Sequence, residues 1–326
     1  MKTFAIALLA FAMAAPGARA GERWDLASAW PAGNFHVQNA MKFSQAVAKA
    51  TNGDVQITVH PGGALGLKGP EMLVAVRDGQ LAMADIQMNQ QVGENRFWGI
   101  ESLPYLATGY GELRKLQRHT RPQFDKLAGQ YGQKILYIVP WPPQGVFSKV
   151  AFDSAPSQLK GLKIRTIDKN GSDFFGKIGA VPLQMPWGDV VPALATGALD
   201  GVATSSTSGV DGKFWEFLAY CNRLNWQMNS QMVSVNLRAW NKLKPEQQKT
   251  IEGLSRKMEG EFWAVSEKED EKNIALLTSR GMKVAEPSAA LKATLNKIGA
   301  AMWDDYAAST PMAKPVLSVY RKEVGK

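Results

Sequence analysis

The stretch Leu159–Thr207 constrains the fold most, because its hydrophobic period switches repeatedly between two and about 3.6. Leu162, Ile164 and Thr166 alternate with Lys163 and Arg165, as a strand does. Asp168–Gly171 is polar and breaks the run. Phe174, Phe175 and Ile178 then recur at helical spacing, and Gly179 ends that segment. Val181, Leu183 and Met185 alternate again. A second helix begins at Asp189, and Gly197 falls where a left-handed residue closes a helix. Leu199–Ala203 is a last short strand. This order predicts a parallel sheet, and ligands gather at the carboxyl ends of such strands. Arg165 lies at one of those ends, before a polar loop.

A second, similar unit occurs earlier. Glu71, Ala75, Val76, Gly79 and Leu81 repeat the spacing of Asp189, Ala193, Leu194, Gly197 and Leu199, 118 residues on. Each copy reads as helix, closing glycine and strand. The repeat predicts two similar α/β lobes. With 326 residues, 45% of them hydrophobic, the chain is long enough to give both a core.

The remaining segments fit that plan. Trp24–Trp30, Asp54–His60, Met83–Met88, Lys134–Pro140 and Gln231–Leu237 read as strands. Val37–Ala50, Gly111–Leu127 and Leu291–Tyr306 read as helices. Asn89 follows the strand at Met83–Met88, at its carboxyl end. Trp141–Gly145, rich in proline and aromatic, reads as a stiff crossover between lobes. The segment from Thr204 to Lys213 reads as polar loop. A long helical region starts at Lys244-Pro245-Glu246, with Ile251, Leu254, Met258, Phe262 and Val265 on one stripe.

Residues 1–20 read as a secretory signal peptide: Lys2, an apolar run from Phe4 to Ala15, then Ala18-Arg19-Ala20 as a small-x-small cleavage site. The run is too short to span a bilayer comfortably. Export argues against a nucleic-acid role. The net charge of +9 is scattered, a weak hint toward anionic ligands. Cys221 is the only cysteine, so no internal disulfide forms. His36, His60 and His119 lack metal-ligand spacing, and neither a metal nor a cofactor is expected. No G-x-S-x-G, paired histidines or nucleophilic cysteine context marks a secreted enzyme acting on organic acids, the competing class.

Arg165 is the side chain singled out, because a guanidinium grips a carboxylate in two parallel hydrogen bonds. For a lone arginine at a strand end, a place at the surface or a pairing to Asp168 is the more ordinary reading.

A family resemblance bears on that choice. G-L-K-I-R-T at Gly161–Thr166, Gly179, Ala180, Pro182, Met185, Asp189, Ala193, Leu194, Gly197, Asp200 and Gly201 resemble the solute-binding proteins of TRAP transporters, the DctP-type periplasmic receptors for organic acids. The likeness runs from about Trp24 to about Tyr320. It implies a two-lobed periplasmic binding protein fold with a hinge, an interlobe cleft and a helical C-terminal third. It also implies a receptor rather than an enzyme, working with integral membrane permease subunits of the TRAP type. The lobes are expected as 21–143 plus 230–269, and 144–229 plus 270–326. By the resemblance, Arg165 is the carboxylate-binding arginine and Trp187 sits where relatives carry an aromatic pocket residue.

The chain also departs from the family. Thr204, followed by Ser205, stands where many relatives have an asparagine, and its absence puts sialic-acid or C4-dicarboxylate specificity in doubt; both residues are candidate ligand contacts. Trp141–Ser148 lacks the second arginine that relatives often carry, and none lies between Arg121 and Arg165. A monocarboxylate is therefore expected over a diacid. Phe35, His36, Trp141 and Trp187 suggest an aromatic-lined pocket for an aromatic or hydroxy/keto acid. Asn89, Gln144 and Lys68 complete the candidate ligand contacts, with Lys68 as a further cation near the cleft.

Overall fold

The computed structural model describes residues 21–326 and builds them around two sheets. The expected signal peptide lies outside the described residues. The first lobe begins with β1 (Glu22–Ser28), α1 (Phe35–Ala50), β2 (Val55–His60), α2 (Met72–Asp78), β3 (Met83–Gln87), α3 (Tyr110–Gln130) and β4 (Gln133–Pro140). The chain then enters the second sheet through β5 (Gly145–Ser148), β6 (Lys163–Thr166), α4 (Lys169–Lys177), β7 (Val181–Gln184), α5 (Val190–Ala195), β8 (Gly201–Thr204), α6 (Ser206–Asp211) and β9 (Tyr220–Asn222). It returns as β10 (Ser230–Asn236) and α7 (Leu237–Trp240). The last elements are α8 (Pro245–Ser279), β11 (Lys283–Ala285), α9 (Ala289–Ser309) and α10 (Ala313–Val324).

The sheet orders are β2-β1-β3-β10-β4 and β11-β9-β5-β8-β6-β7. Each is parallel except for one antiparallel strand, β10 in the first and β5 in the second. Those two strands are where the chain arrives from the other lobe. The internal repeat maps onto this symmetry: β3 lies between β1 and β10, and β8 between β6 and β5. The glycines that close the preceding helices, Gly79 and Gly197, have φ of 80° and 72°, a region L-residues avoid. All five residues of β3 are buried, as a strand covered on both faces requires.

Three connections join the lobes. The segments 141–144 and 226–229 pair by backbone: Trp141 N donates to Asn229 O at 2.9 Å, and Gln144 N to Gln227 O at 3.0 Å. The third is α8, whose 35 residues span about 50 Å. Its first half serves the first lobe. Ile251, Met258 and Phe262 are buried, Trp263 Nε1 donates to Ile138 O and Ser266 Oγ to Pro140 O. Its second half serves the other lobe, with Leu277 in that core and Asn273 Nδ2 donating to Thr207 Oγ1 at 3.0 Å.

Four expectations change. The stretch after Thr204 is helical, not loop. Ser205 caps α6 by accepting from Ser208 N, and Ser206 Oγ donates to Asp270 on α8 at 2.6 Å. Asp168–Gly171 likewise does not break the chain into loop but starts α4, with Asp168 as N-cap accepting from Gly171 N at 2.8 Å. The helix expected from Val37 begins two residues earlier, with Phe35 and His36 in its first turn. The placement of 270–326 with the second lobe does not hold for its last two helices. Trp303 Nε1 donates to Pro104 O, Tyr320 OH to Leu106 O, and Tyr306 OH to Arg96 O, all in the first lobe.

Candidate functional site

Arg165 sits on β6 between β7 and β8, opposite Leu183 and Val202. Its side chain is 0% exposed, whereas Lys163 on the same strand is exposed. Nε donates to Met185 O at 3.0 Å. Nη1 and Nη2 have no hydrogen-bond partner among the described residues. Burial pulls the guanidinium down to about 10, and the Asp168 carboxylate opposes that shift. It is therefore charged at neutral pH. A buried cation with two free donors is costly unless an anion meets it.

Asp168 does not fill that role. Its carboxylate accepts from Asn89 Nδ2 at 2.8 Å, from Ser102 Oγ and from Gly171 N. Burial pushes it up, while these bonds and Arg165 pull it back. Asn89 and Ser102 come from the first lobe, so Asp168 ties the two lobes beside Arg165. Asn170 Nδ2 adds a bond to Gly99 O at 2.9 Å.

An aromatic wall continues from the arginine. Met185, whose carbonyl holds Arg165, leads to Trp187. Trp187 packs 5.2 Å from Trp30, and Trp30 packs 4.5 Å from Trp141. His36 and Phe35 pack on Trp141 at 4.3 and 5.7 Å. Trp141 is held by its Nε1, which donates to Gln231 Oε1 at 3.1 Å. Burial holds His36 well below the usual imidazole range, so it is neutral, and its Nε2 is unpartnered among the described residues.

The structure thus brings Phe35, His36, Trp141 and Trp187 into one wall, linked through Met185 to Arg165. Asn89 spends its donor on Asp168 and keeps Oδ1 free. Gln144 donates to Pro142 O at 2.8 Å and keeps Oε1 free. Thr204 ends β8 and Ser205 caps α6; both are buried. Lys68 stands apart. It is 56% exposed and paired with Asp189 Oδ2 at 3.0 Å, across the rim between lobes. Asn34 Nδ2 and Asp211 Oδ2 form a second rim contact at 2.6 Å.

The sequence reading missed three side chains. Trp30, which the sequence reading kept inside the first strand, joins the wall from the loop that leaves β1. Gln227 and Asn229 lie in the return crossover, buried, with every side-chain nitrogen and oxygen unpartnered among the described residues. Two neutral amides in an irregular segment carry no sequence signal.

Among the described residues no group of three or more His, Cys, Asp or Glu could hold a metal ion, and no helix is long and apolar enough to cross a membrane.

The sequence model of the bacterial extracellular solute-binding protein family 7, DctP, matches residues 26–310. The chain belongs to this family. Its architecture is that of the TRAP receptors. A Bordetella pertussis receptor, DctP6, described as binding pyroglutamic acid, superposes with a TM-score of 0.88 at 30% identity, covering 92% of this chain and 99% of that one. A marine metagenome TRAP solute-binding protein, described as specific for pyroglutamate, gives 0.88 at 28% identity over 93% and 99%. A solute-binding protein of Albidiferax ferrireducens is 24% identical over 294 residues, 88% of this chain and 86% of that protein. The family 7 chain is a solute receptor of the two-lobed type, not an enzyme.

Proposed function

We propose that this receptor captures a small cyclic monocarboxylate of the pyroglutamate type and delivers it to a TRAP membrane permease. One observation carries this reading: Arg165 is fully buried and charged, and presents two unpartnered Nη groups. A carboxylate is the anion whose planar pair of oxygens matches that fork. The sequence supplies no second arginine between Arg121 and Arg165, which favours one carboxylate over two. The aromatic wall suits a flat, compact ligand body. The two relatives at 28–30% identity that are described with pyroglutamate supply the ligand class.

The chain is exported by its leader and cleaved after Ala20 in this reading, so the mature protein starts at Gly21. Intact mass of protein recovered from the periplasm tests that step.

A thermal-shift panel tests the ligand class. L-pyroglutamate at about a hundred times its Kd should stabilise the fold by about 2.7 kcal/mol, a rise of several degrees. Succinate and sialic acid should leave the melting temperature unchanged. A response to succinate alone, or to none of a broad set of organic acids, contradicts the reading.

A further inference from the structure

The return crossover carries chemistry that the arginine does not use. Gln227 and Asn229 are each 1% exposed, and both the nitrogen and the oxygen of each carboxamide lack a partner among the described residues. Their backbone carbonyls are taken, accepting from Gln144 N and Trp141 N. The side chains between and beyond them are turned into the lobes. Trp226 stacks on Phe174 at 5.4 Å, Met228 is in the core, and Ser230 Oγ donates to Glu101 at 2.6 Å. In an extended segment, 227, 229 and 231 then share the opposite face. Gln231 fixes where that face looks, because it holds the indole of Trp141 in the aromatic wall.

We propose that Gln227 and Asn229 are specificity-determining residues, forming a neutral amide subsite for the body of the acid whose carboxylate Arg165 takes. Each carboxamide offers a donor and an acceptor side by side. That pattern is complementary to an amide in the ligand, with its N–H and C=O on adjacent atoms, as in a lactam. It offers no cation to a second carboxylate and no anion to an ammonium group. An apolar ring would leave the amides buried and unpaired, so it is rejected. This inference rests on the proposed function and deepens it.

Calorimetry with two probes, L-pyroglutamate and cyclopentanecarboxylate, tests the subsite. Both have a five-membered ring and one carboxylate; only the first has the lactam. Wild-type receptor should prefer L-pyroglutamate by about a hundredfold or more. Gln227→Met and Asn229→Leu should bring that preference down by about tenfold or more, through L-pyroglutamate affinity alone. Without ligand, both variants should melt no lower than wild type, because unpaired buried amides are removed. Equal losses for both probes, an unchanged preference, or a lower melting temperature in both variants would overturn the subsite; so would failure of both to fold. If only Asn229→Leu fails to fold, Gln227→Met carries the test. Wild-type receptor that binds no L-pyroglutamate at all overturns the ligand class itself, an outcome distinct from these.

Discussion

Asn89 Nδ2 donates to Asp168 Oδ2 at 2.8 Å, joining the end of a first-lobe strand to the start of a second-lobe helix. Asp168 thereby serves as helix cap, interlobe tie and electrostatic neighbour of Arg165. Replacing it with alanine removes the α4 cap and leaves the buried donor of Asn89 without its acceptor, while Ser102 Oγ keeps Gly99 O. Asp168→Ala should cost about 2–4 kcal/mol of stability in urea unfolding. A loss under about 0.5 kcal/mol would mean that the lobes are held together elsewhere.

Lys68 makes the contrasting case. Its pair with Asp189 is about half exposed on both sides. Such a pair is worth about 0–1 kcal/mol. Lys68→Ala should therefore weaken ligand binding by less than about fivefold. A fall beyond about thirtyfold would make Lys68 a ligand cation after all.

Glu101 gives the fold a pH dependence of known sign. It accepts from Gln117 Nε2 at 2.9 Å and Ser230 Oγ at 2.6 Å, yet burial pushes its carboxyl up to about 7. A carboxyl raised on folding favours the folded state below its unfolded value near 4.5, and that contribution is lost as pH rises through about 7. Asp85, also raised to about 7, acts in the same direction, and the depressed imidazole of His36 acts in the opposite one. Both remain in a Glu101→Gln variant, so they cancel in the difference. Between pH 5 and pH 8, wild type should lose up to about 3 kcal/mol relative to Glu101→Gln. Parallel stability curves for the two proteins would show that Glu101 does not titrate in this range.

Much of the architecture was written in period and punctuation. The alternation around Arg165, the glycines Gly79 and Gly197 and the repeat 118 residues apart all correspond to elements at equivalent positions in the two sheets. What was hidden depends on tertiary partners. Helix α6 opens with Ser206, Thr207 and Ser208, residues that favour caps and turns, and the hydroxyls of Ser206 and Thr207 are partnered by Asp270 and Asn273 on α8. Helix α10 packs Val316, Leu317 and Tyr320 on the first lobe, across more than 200 residues of chain. At the site, Arg165 was singled out through the family resemblance, because an arginine at a strand end is by itself commonplace at the surface. The tie between Asn89 and Asp168 was not legible, because only folding brings positions 79 residues apart into contact.

Titration calorimetry of Arg165→Ala with L-pyroglutamate, beside wild type and Arg165→Lys, tests the central claim most directly. Removing one side of a buried charge pair costs about 2–5 kcal/mol, or roughly 30- to 4000-fold in affinity. Arg165→Lys keeps the charge but loses the fork, so it should fall between wild type and Arg165→Ala. Circular dichroism should show all three folded. A folded Arg165→Ala that binds L-pyroglutamate within about threefold of wild type, a difference of about 0.7 kcal/mol, would contradict the assignment of Arg165 as the carboxylate anchor.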